Sequence, residues 1–431
     1  MNASSTQLAV AIEALDGPRY RNRECPVADP QRFAIEGRVV SEGEDQLQDA
    51  LAHAHESPTR PRCLCVAGGV EMYVARHRQF VIKRMPATGH LHHPGCPSFE
   101  PEASQSGLGE LVGQAVVEIE PGCVELRVDF PLVRMTGRSV QRGEPQVVAD
   151  VEEPRRRMSL RALTHFIFER AGFNRWSPTM EGKRNQGVLH KYLTEAAEGV
   201  LVKGEPLSER LYVPEPFVEH RRAEIAARRR FKLSILNPYE GCWPMALVLG
   251  EFKGCEDSAL GKRIWIRHMP DAPLLVSTRL WARVSRTLAP LFEVRDADTG
   301  VGVRLVATAL ICARREHTYE VESLSLMVAT KHWIPVDGVH ELALVQALVE
   351  QKRRFVKPLR YDARSATAFA NALLIDAGPV GIPLHLLSPF MTPMERSAKT
   401  RAMAANNASA WVWTTERSLP PFPAPVAMHS G

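Results

Sequence analysis

The segment CLC, Cys63 to Cys65, is followed by GHLHHPGC, which places His90, His92 and His93 just ahead of Cys96. Few folds accommodate thiols and imidazoles at this density. Either the side chains hold a metal, or they sit on a loop of reduced thiols beside a solvated histidine cluster. Between them lie VEMYVAR and QFVIKRM, both rich in β-formers, with His77 and Arg78 near the turn. The spacing therefore predicts a CxC, a β-hairpin, then an HxxxC. In an extended segment side chains two apart point the same way, so Cys63 and Cys65 can face one ion. Pro94 and Gly95 turn the chain, so His92 and Cys96 can approach from the other side. Three thiolates and one imidazole make a closed tetrahedral zinc site of the structural kind, with no open position for a reacting water. His92 is the preferred fourth ligand, with His90 and His93 as rivals. Such a hairpin module is too small to fold well on its own core, and zinc would hold it.

The other cysteines, Cys25, Cys123, Cys242, Cys255 and Cys312, are scattered and read as lone apolar side chains. The eight cysteines spread over 431 residues make no disulfide framework, which fits a reducing compartment. The start lacks a secretory pattern and no apolar run is long enough to cross a bilayer, so the expected location is the cytoplasm, away from membranes. Length suggests roughly two to four domains. The 54 basic and 49 acidic residues leave a charge of +5, mild enough to permit nucleic acid without requiring it.

The expected architecture is a multidomain α+β chain: an N-terminal zinc-bound β-hairpin, a central helical module and a C-terminal α/β domain. Residues 1–60 read as weakly structured and 61–100 as the hairpin module, with a linker near 97–110. A β segment over 105–150 has two β-like runs around Pro121 and Gly122. The helical module, 155–235, starts at Ser159 as an N-cap. Leu160, Leu163, Ile167, Phe168 and Ala171 form one apolar stripe. A second helix points Val188, Leu189, Tyr192, Leu193, Ala196, Ala197 and Val200 inward. This module reads as a helix-turn-helix, a winged helix or a plain packing unit. Residues 236–415 read as a β-rich and α/β region, and the proline-rich 416–431 as a disordered tail. Arg155, Arg156, Arg157, Lys183, Arg184, Arg228, Arg229 and Arg230 are the candidate phosphate contacts, with Arg221 and Arg222 nearby. Solvated helix faces are the plain alternative, since Glu152, Glu153, Glu219 and Glu224 are interspersed.

Residues 338–415 show a helix (GVHELALVQALVEQKRR, inner face Leu342, Val345, Leu348 and Val349), three strands, a helix capped by Thr392 and Pro393, and a fourth strand. This order resembles the core of the PD-(D/E)xK nucleases. That resemblance implies carboxylates on the second and third strands that hold Mg²⁺ or Mn²⁺, hard cations that take oxygen ligands. It also implies a lysine that stabilises developing phosphate charge. Here Ala370-Asn371 stands at the first motif position and His385-Leu386-Leu387 at the second. Glu341 matches the helix glutamate of that family, Lys399 can stand in for its lysine, and Asp376 lies at the far strand end. The domain therefore reads as a degenerate nuclease or an ordinary packing domain. A separate Glu-x-Lys pair, Glu251 and Lys253 in LVLGEFKG, reads as an exposed strand end with paired opposite charges or as a rival catalytic site.

CLCVAGGVEMYVAR, KRMPATGHLHHPGC, SLRALTHFIFERAGFNRWSP, LYVPEPF, GEFKG and FVKPLRYD together resemble the bacterial family catalogued as domain of unknown function 1173. The resemblance implies three N-terminal cysteines, matched by Cys63, Cys65 and Cys96, and an association with mobile elements. It also implies acidic residues in the C-terminal strands, from which Asn371 and His385 depart. The expected function is nucleic-acid binding in the life of a mobile element, together with that element's protein partners. An active metal-dependent nuclease and a protein-interaction scaffold are the alternatives.

Overall fold

The computed structural model describes residues 31–76, 79–85, 88–120, 122–135, 156–259, 261–296, 302–378, 381–405 and 410–426. Cys25, His77, Arg78, Pro121 and Arg155 fall outside them. Among the described residues no helix is long and apolar enough to cross a membrane.

The centre is a barrel. Cys242–Ser258, Gly261–Ile266 and Leu274–Ser277 form an antiparallel meander. Helix Thr278–Asp296 follows, then the paired strands Arg304–Arg315 and Thr318–Ala329. Leu274–Ser277 pairs in parallel with Thr318–Ala329, and Arg304–Arg315 pairs back to Cys242–Ser258, closing the ring. Numbering these five strands in chain order, the ring runs 1-2-3-5-4-1, with strands 3 and 5 parallel and a helix between strands 3 and 4. That is the strand order of the OB-fold barrel. The first strand serves two neighbours because it bends. It pairs with strand 4 over Met245–Glu251 and with strand 2 beyond Phe252, and its register to strand 2 shifts between Phe252 and Gly254.

Strands 1 and 4 are almost continuously apolar over Met245–Leu249 and Leu305–Ala313 because both of their faces are covered, whereas strands 2, 3 and 5 alternate over much of their length. Ala246, Val248, Leu305, Ala307, Ala309, Ile311, Leu326 and Val328 belong to one core. Their neighbours Met245, Leu247, Leu249, Val306, Leu310, Cys312, Met327 and Ala329 belong to a second. Helices Leu160–Arg170 and Gln186–Ala196 supply the other side of that second core.

The helices at 160–196 are therefore part of the barrel's casing, and the expectation of a separate helical module gives way to an interwoven one. Arg175–Trp176 joins the C-terminal sheet, Leu211–Tyr212 joins the barrel, and Val200–Val202 joins Cys123–Leu126. The first helix buries Leu160 and Ala162 to Phe168 without interruption, wider than the one stripe expected, and Thr164 meets Thr308 at 2.6 Å. A helix enclosed in this way has no free face to enter a DNA groove. The second helix buries Leu189, Leu193 and Ala196, with Tyr192 exposed.

Two further differences concern the ends. Residues 32–57, read as weakly structured, form strands Arg32–Ile35 and Arg38–Ser41 and helix Leu47–Glu56. The strands extend the expected Val70–Arg76/Phe80–Arg84 hairpin into a five-stranded antiparallel sheet through Arg62–Cys63. The proline-rich end, read as disordered, lies along the C-terminal sheet over its described part. Its carbonyls accept from side chains there, Pro421 from Trp411 and Pro423 from Arg353, and Phe422 packs on Trp411. Proline removes donors but leaves acceptors, so such a segment can dock through its carbonyls.

The C-terminal sheet has the helix and strand order read from the sequence. Helix Val339–Glu350 is followed by Phe355–Val356, Ala372–Leu374 and Ile382–Leu387 as an antiparallel meander. Helix Pro393–Ala405 then leads to Trp411–Thr414, parallel to Ile382–Leu387. Thr392 and Glu395 form a reciprocal capping box at that helix start. The first helix buries Glu341 and Leu344 besides Leu342, Val345 and Leu348.

Candidate metal centre and the buried polar cluster

The four sequence candidates Cys63, Cys65, His92 and Cys96 converge, with one ligand atom from each lying within 4.8 Å of all the others. Cys63 ends strand Arg62–Cys63, and Cys65 lies in the turn after it, so the turn and not extended geometry brings the second thiol round. The short 3-10 helix Gly89–Leu91 delivers His92, and the Pro94-Gly95 turn delivers Cys96. Cys63 is fully buried, and His92 and Cys96 are nearly so. His90 is exposed and His93 accepts from the Gly95 N–H, so neither rival joins the cluster.

The spacing fits a single ion. Cys63 Sγ and Cys96 Sγ are 3.7 Å apart, Cys96 Sγ and His92 Nδ1 3.7 Å, and Cys65 Sγ and His92 Nδ1 3.3 Å. A tetrahedron with metal–sulfur arms of ~2.3 Å has edges of about 3.8 Å. A disulfide needs ~2.05 Å, so these are separate thiols. Donors missed in the sequence surround the sulfurs. Gln31 Nε2 reaches Cys63 Sγ at 3.1 Å and Cys96 Sγ at 3.4 Å, Ser98 N reaches Cys96, and His93 N reaches Cys65. N–H groups aimed at sulfur favour thiolate, the form a metal binds.

Hydrogen bonds from Cys65 and Cys96 hold the Cys63 thiol well below its ordinary range, and the same contacts push Cys96 up. Burial pulls His92 down, but its hydrogen bonds to Cys63 and Cys65 outweigh that and lift it to about 9. A metal must displace these protons to bind. The centre also reaches across to the C-terminal sheet. Val356 and Leu373 pack in the same apolar cluster as Cys63 and Cys96, and Arg354 donates to Gly95 O at 3.0 Å.

The second set of candidates meets under the C-terminal sheet. Asn371 Nδ2 donates to Glu341 Oε1 at 3.0 Å, and Asn371 Oδ1 accepts from Leu386 N at 3.0 Å. Lys399 Nζ binds Asn371 Oδ1 at 2.8 Å and Phe369 O at 2.6 Å. Lys357 Nζ, 1% exposed, lies 3.1 Å from Glu341 and 3.5 Å from Asp337. Arg360 completes the group at 3.1 Å from Asp337. Burial raises the Asp337 carboxyl, but Lys357 and Arg360 outweigh it and hold it well below the usual range. Burial and the nearby Arg360 charge lower the Lys399 amine to about 7. Asp337 lies in no motif, and Lys357 and Arg360 of FVKPLRYD carried no catalytic signal, since only the packing of their elements brings the three together.

The remaining candidates lie elsewhere. Asp376 makes a two-pronged pair with Arg353 at 2.8 and 3.1 Å and accepts from Arg354 N, a structural tie. Glu251 is buried in the bend of the first barrel strand, 2.7 Å from Arg304 and 3.1 Å from Arg267, while Lys253 points outward. Neither joins the buried polar cluster. Of the basic candidates, Arg184 donates to the carbonyls of Gly172, Phe173, Arg175 and His332. Arg229 is buried against Asp271, Arg228 pairs with Glu215 and Glu224, and Arg156 with Glu110. Those four are used internally, whereas Arg157, Lys183 and Arg230 are exposed.

His385 is 1% exposed, and neither ring nitrogen has a partner among the described residues. Burial, then the Lys399 charge, lowers it to about 4 from the ordinary 6.5. A histidine neutral when folded but protonated when unfolded costs stability as pH falls from about 6.5 towards 4. Leucine at this position removes that cost and two unsatisfied nitrogens. His385→Leu is therefore expected to melt higher than the parent protein at pH 7.5, and the gap should widen at pH 5. Equal melting temperatures at both values would show that the ring finds a partner in solution.

No curated protein and no solved structure matches the chain. Residues 33–416, nearly the whole described molecule with its Cys/His cluster, barrel and C-terminal sheet, match a family model, and the chain belongs to that family: Protein of unknown function (DUF1173).

Proposed function

We propose that this is a zinc-stabilised nucleic-acid-binding protein whose C-terminal domain is a degenerate relative of the PD-(D/E)xK nucleases. The observation that carries the binding role is the barrel, whose strand order is that of an architecture widely used to hold oligonucleotides. Zinc is the metal that best suits three thiolates and one imidazole in a closed tetrahedral arrangement, and its part is to fasten the N-terminal module.

The buried cluster supports a domain without metal catalysis. Asn371 stands at the start of the second core strand and His385 on the third, where the resemblance implies carboxylates. The oxygens a divalent ion would need, Asn371 Oδ1 and Phe369 O, already accept from Lys399. Glu341 is likewise engaged by Lys357 and Asn371. An internal amine donor thus stands among the acceptors instead of a divalent cation. The setting implied by the family resemblance, a bacterial mobile element, is one in which a binding protein of this kind is at home.

The test is one native gel. Protein carrying its metal is incubated with supercoiled plasmid, short duplexes and single strands, with and without Mn²⁺ and over a range of KCl. A salt-sensitive shift with no Mn²⁺-dependent nicking is expected. Nicking that is lost in Lys399→Ala would make the protein a nuclease. Neither shift nor nicking would leave the protein-interaction scaffold.

A further inference from the structure

Resting on the nucleic-acid reading, we propose that the backbone of a single-stranded nucleic acid lies in an arginine-lined groove on the barrel, at sites outside the basic segments that stand out in the sequence. The groove is a cavity of about 1060 Å³ between the second and third barrel strands, the ends of strands 4 and 5, and helix Thr278–Asp296. Its arginines are Arg134, Arg263, Arg279, Arg283, Arg286 and Arg314, and its acids are Glu320 and Glu322.

The charges are distributed unevenly. Each glutamate is matched within the groove, Glu320 by Arg314 at 2.9 Å and Glu322 by Arg134 at 2.8 Å. Arg263 pairs with Glu256 only at 3.5 Å, with both side chains half exposed, and such a pair holds little of its charge. Arg279, Arg283 and Arg286 follow one another at i, i+4 and i+7, so they share a face of the helix, and all three are exposed. Six arginines thus face two glutamates in the concave lining, and that excess of basic side chains concentrates field on an anion.

The position and size indicate which anion. The groove takes in Ser258 and Ala259, at the turn between strands 1 and 2, and Arg314, at the turn between strands 4 and 5. Those are the loops by which OB barrels hold oligonucleotides, together with the face of strands 2 and 3. At about 1060 Å³ it exceeds most small-molecule pockets, and it suits a stretch of polymer better than a free phosphate. Guanidinium groups bind phosphate oxygens in a two-pronged fashion. Trp265 lies two residues beyond Arg263 on the same strand face, half buried, and offers a surface for base stacking.

The experiment is fluorescence anisotropy with a labelled 30-nucleotide single strand, and with the same sequence as a duplex, from 50 to 300 mM KCl. Wild type is compared with Arg279→Ala/Arg283→Ala/Arg286→Ala and with Lys183→Ala/Arg230→Ala. The triple variant should bind the single strand at least tenfold more weakly at 100 mM KCl. The slope of log affinity against log salt should shrink by about 2, at ~0.7 per lost phosphate contact. The Lys183/Arg230 variant should stay within twofold of wild type. Circular dichroism melting establishes that the variants fold. If the triple variant does not, Arg279→Ala and Arg286→Ala singly should each reduce the slope by ~0.7. Wild-type affinity and slope in the triple variant would place the site elsewhere while leaving the nucleic-acid reading intact, and so would a loss confined to Lys183→Ala/Arg230→Ala. Equal loss on the duplex would overturn the single-strand assignment. Wild type that binds neither strand nor duplex would remove the reading itself, and the groove with it.

Discussion

Cys63→Ser is expected to empty the metal centre and open the N-terminal module while the barrel stays folded. Cys63 is fully buried and ends the short strand that joins the Arg32–Ile35/Arg38–Ser41 pair to the hairpin. Removing its thiol leaves a closed site with three ligands, and a structural site of this type depends on all four. The module has little else to hold it. Its apolar cluster comprises a few side chains from the sheet and helix Leu47–Glu56, with Val356 and Leu373 from the C-terminal sheet. The barrel stands on separate cores. Elemental analysis should fall from one zinc per chain to near none. Hydrogen exchange should lose protection over Val70–Arg76 and Phe80–Arg84 and keep it over Met245–Glu251 and Leu305–Cys312. Because the ligands must shed protons to bind, wild type should also release its metal on acidification. Wild type purified without zinc under reducing conditions, or a variant with unchanged protection, would refute the assignment.

The metal centre was legible because its chemistry is dense and local. Cys63, Cys65, His92 and Cys96 fall within one short segment, and the spacing alone nominated them. What could not be read was the turn that carries Cys65, or Gln31, whose amide reaches two of the sulfurs across a strand pair. The C-terminal elements were legible for a different reason. Each is bounded by strong signals, such as Thr392-Pro393 at a helix start and Pro389 after a strand. Four of the polar candidates there, Glu341, Asn371, His385 and Lys399, do lie under one sheet. The barrel's strands fall in the segment read as β-rich, but its closure was not legible, because strands 1 and 4 are buried on both faces without a half-exposed alternation and the strand order depends on pairings such as Leu274–Tyr319 that no local pattern encodes. In the basic segments a charge count does not say which side chains already have protein partners. Arg184 and Arg229 serve internal carbonyls and a carboxylate, whereas the arginines of the groove come from four separate elements.

Glu341→Leu provides the sharpest distinction between a structural cluster and a metal site. Its carboxylate receives Lys357 Nζ at 3.1 Å, Asn371 Nδ2 at 3.0 Å and the Asp337 backbone N–H, all away from water. Leucine leaves the Lys357 ammonium with Asp337 as its remaining carboxylate, at 3.5 Å, and strands an amide and a peptide N–H. Breaking a buried ion pair from one side costs about 3–5 kcal/mol, so the variant should melt well below wild type at pH 7.5. A site built for Mg²⁺ behaves in the opposite way. Its carboxylates crowd like charges when no ion is bound, so deleting one relieves repulsion, and added Mg²⁺ raises the melting temperature through preferential binding to the folded state. Here Lys357 and Arg360 already supply the positive charge around Glu341. Wild type should therefore melt at the same temperature with and without 10 mM Mg²⁺, and Glu341→Leu should be destabilised equally in both. A rise in wild-type melting with Mg²⁺ that Glu341→Leu abolishes would show that the ion displaces these cations, and that a nuclease-type metal site survives beneath the sheet.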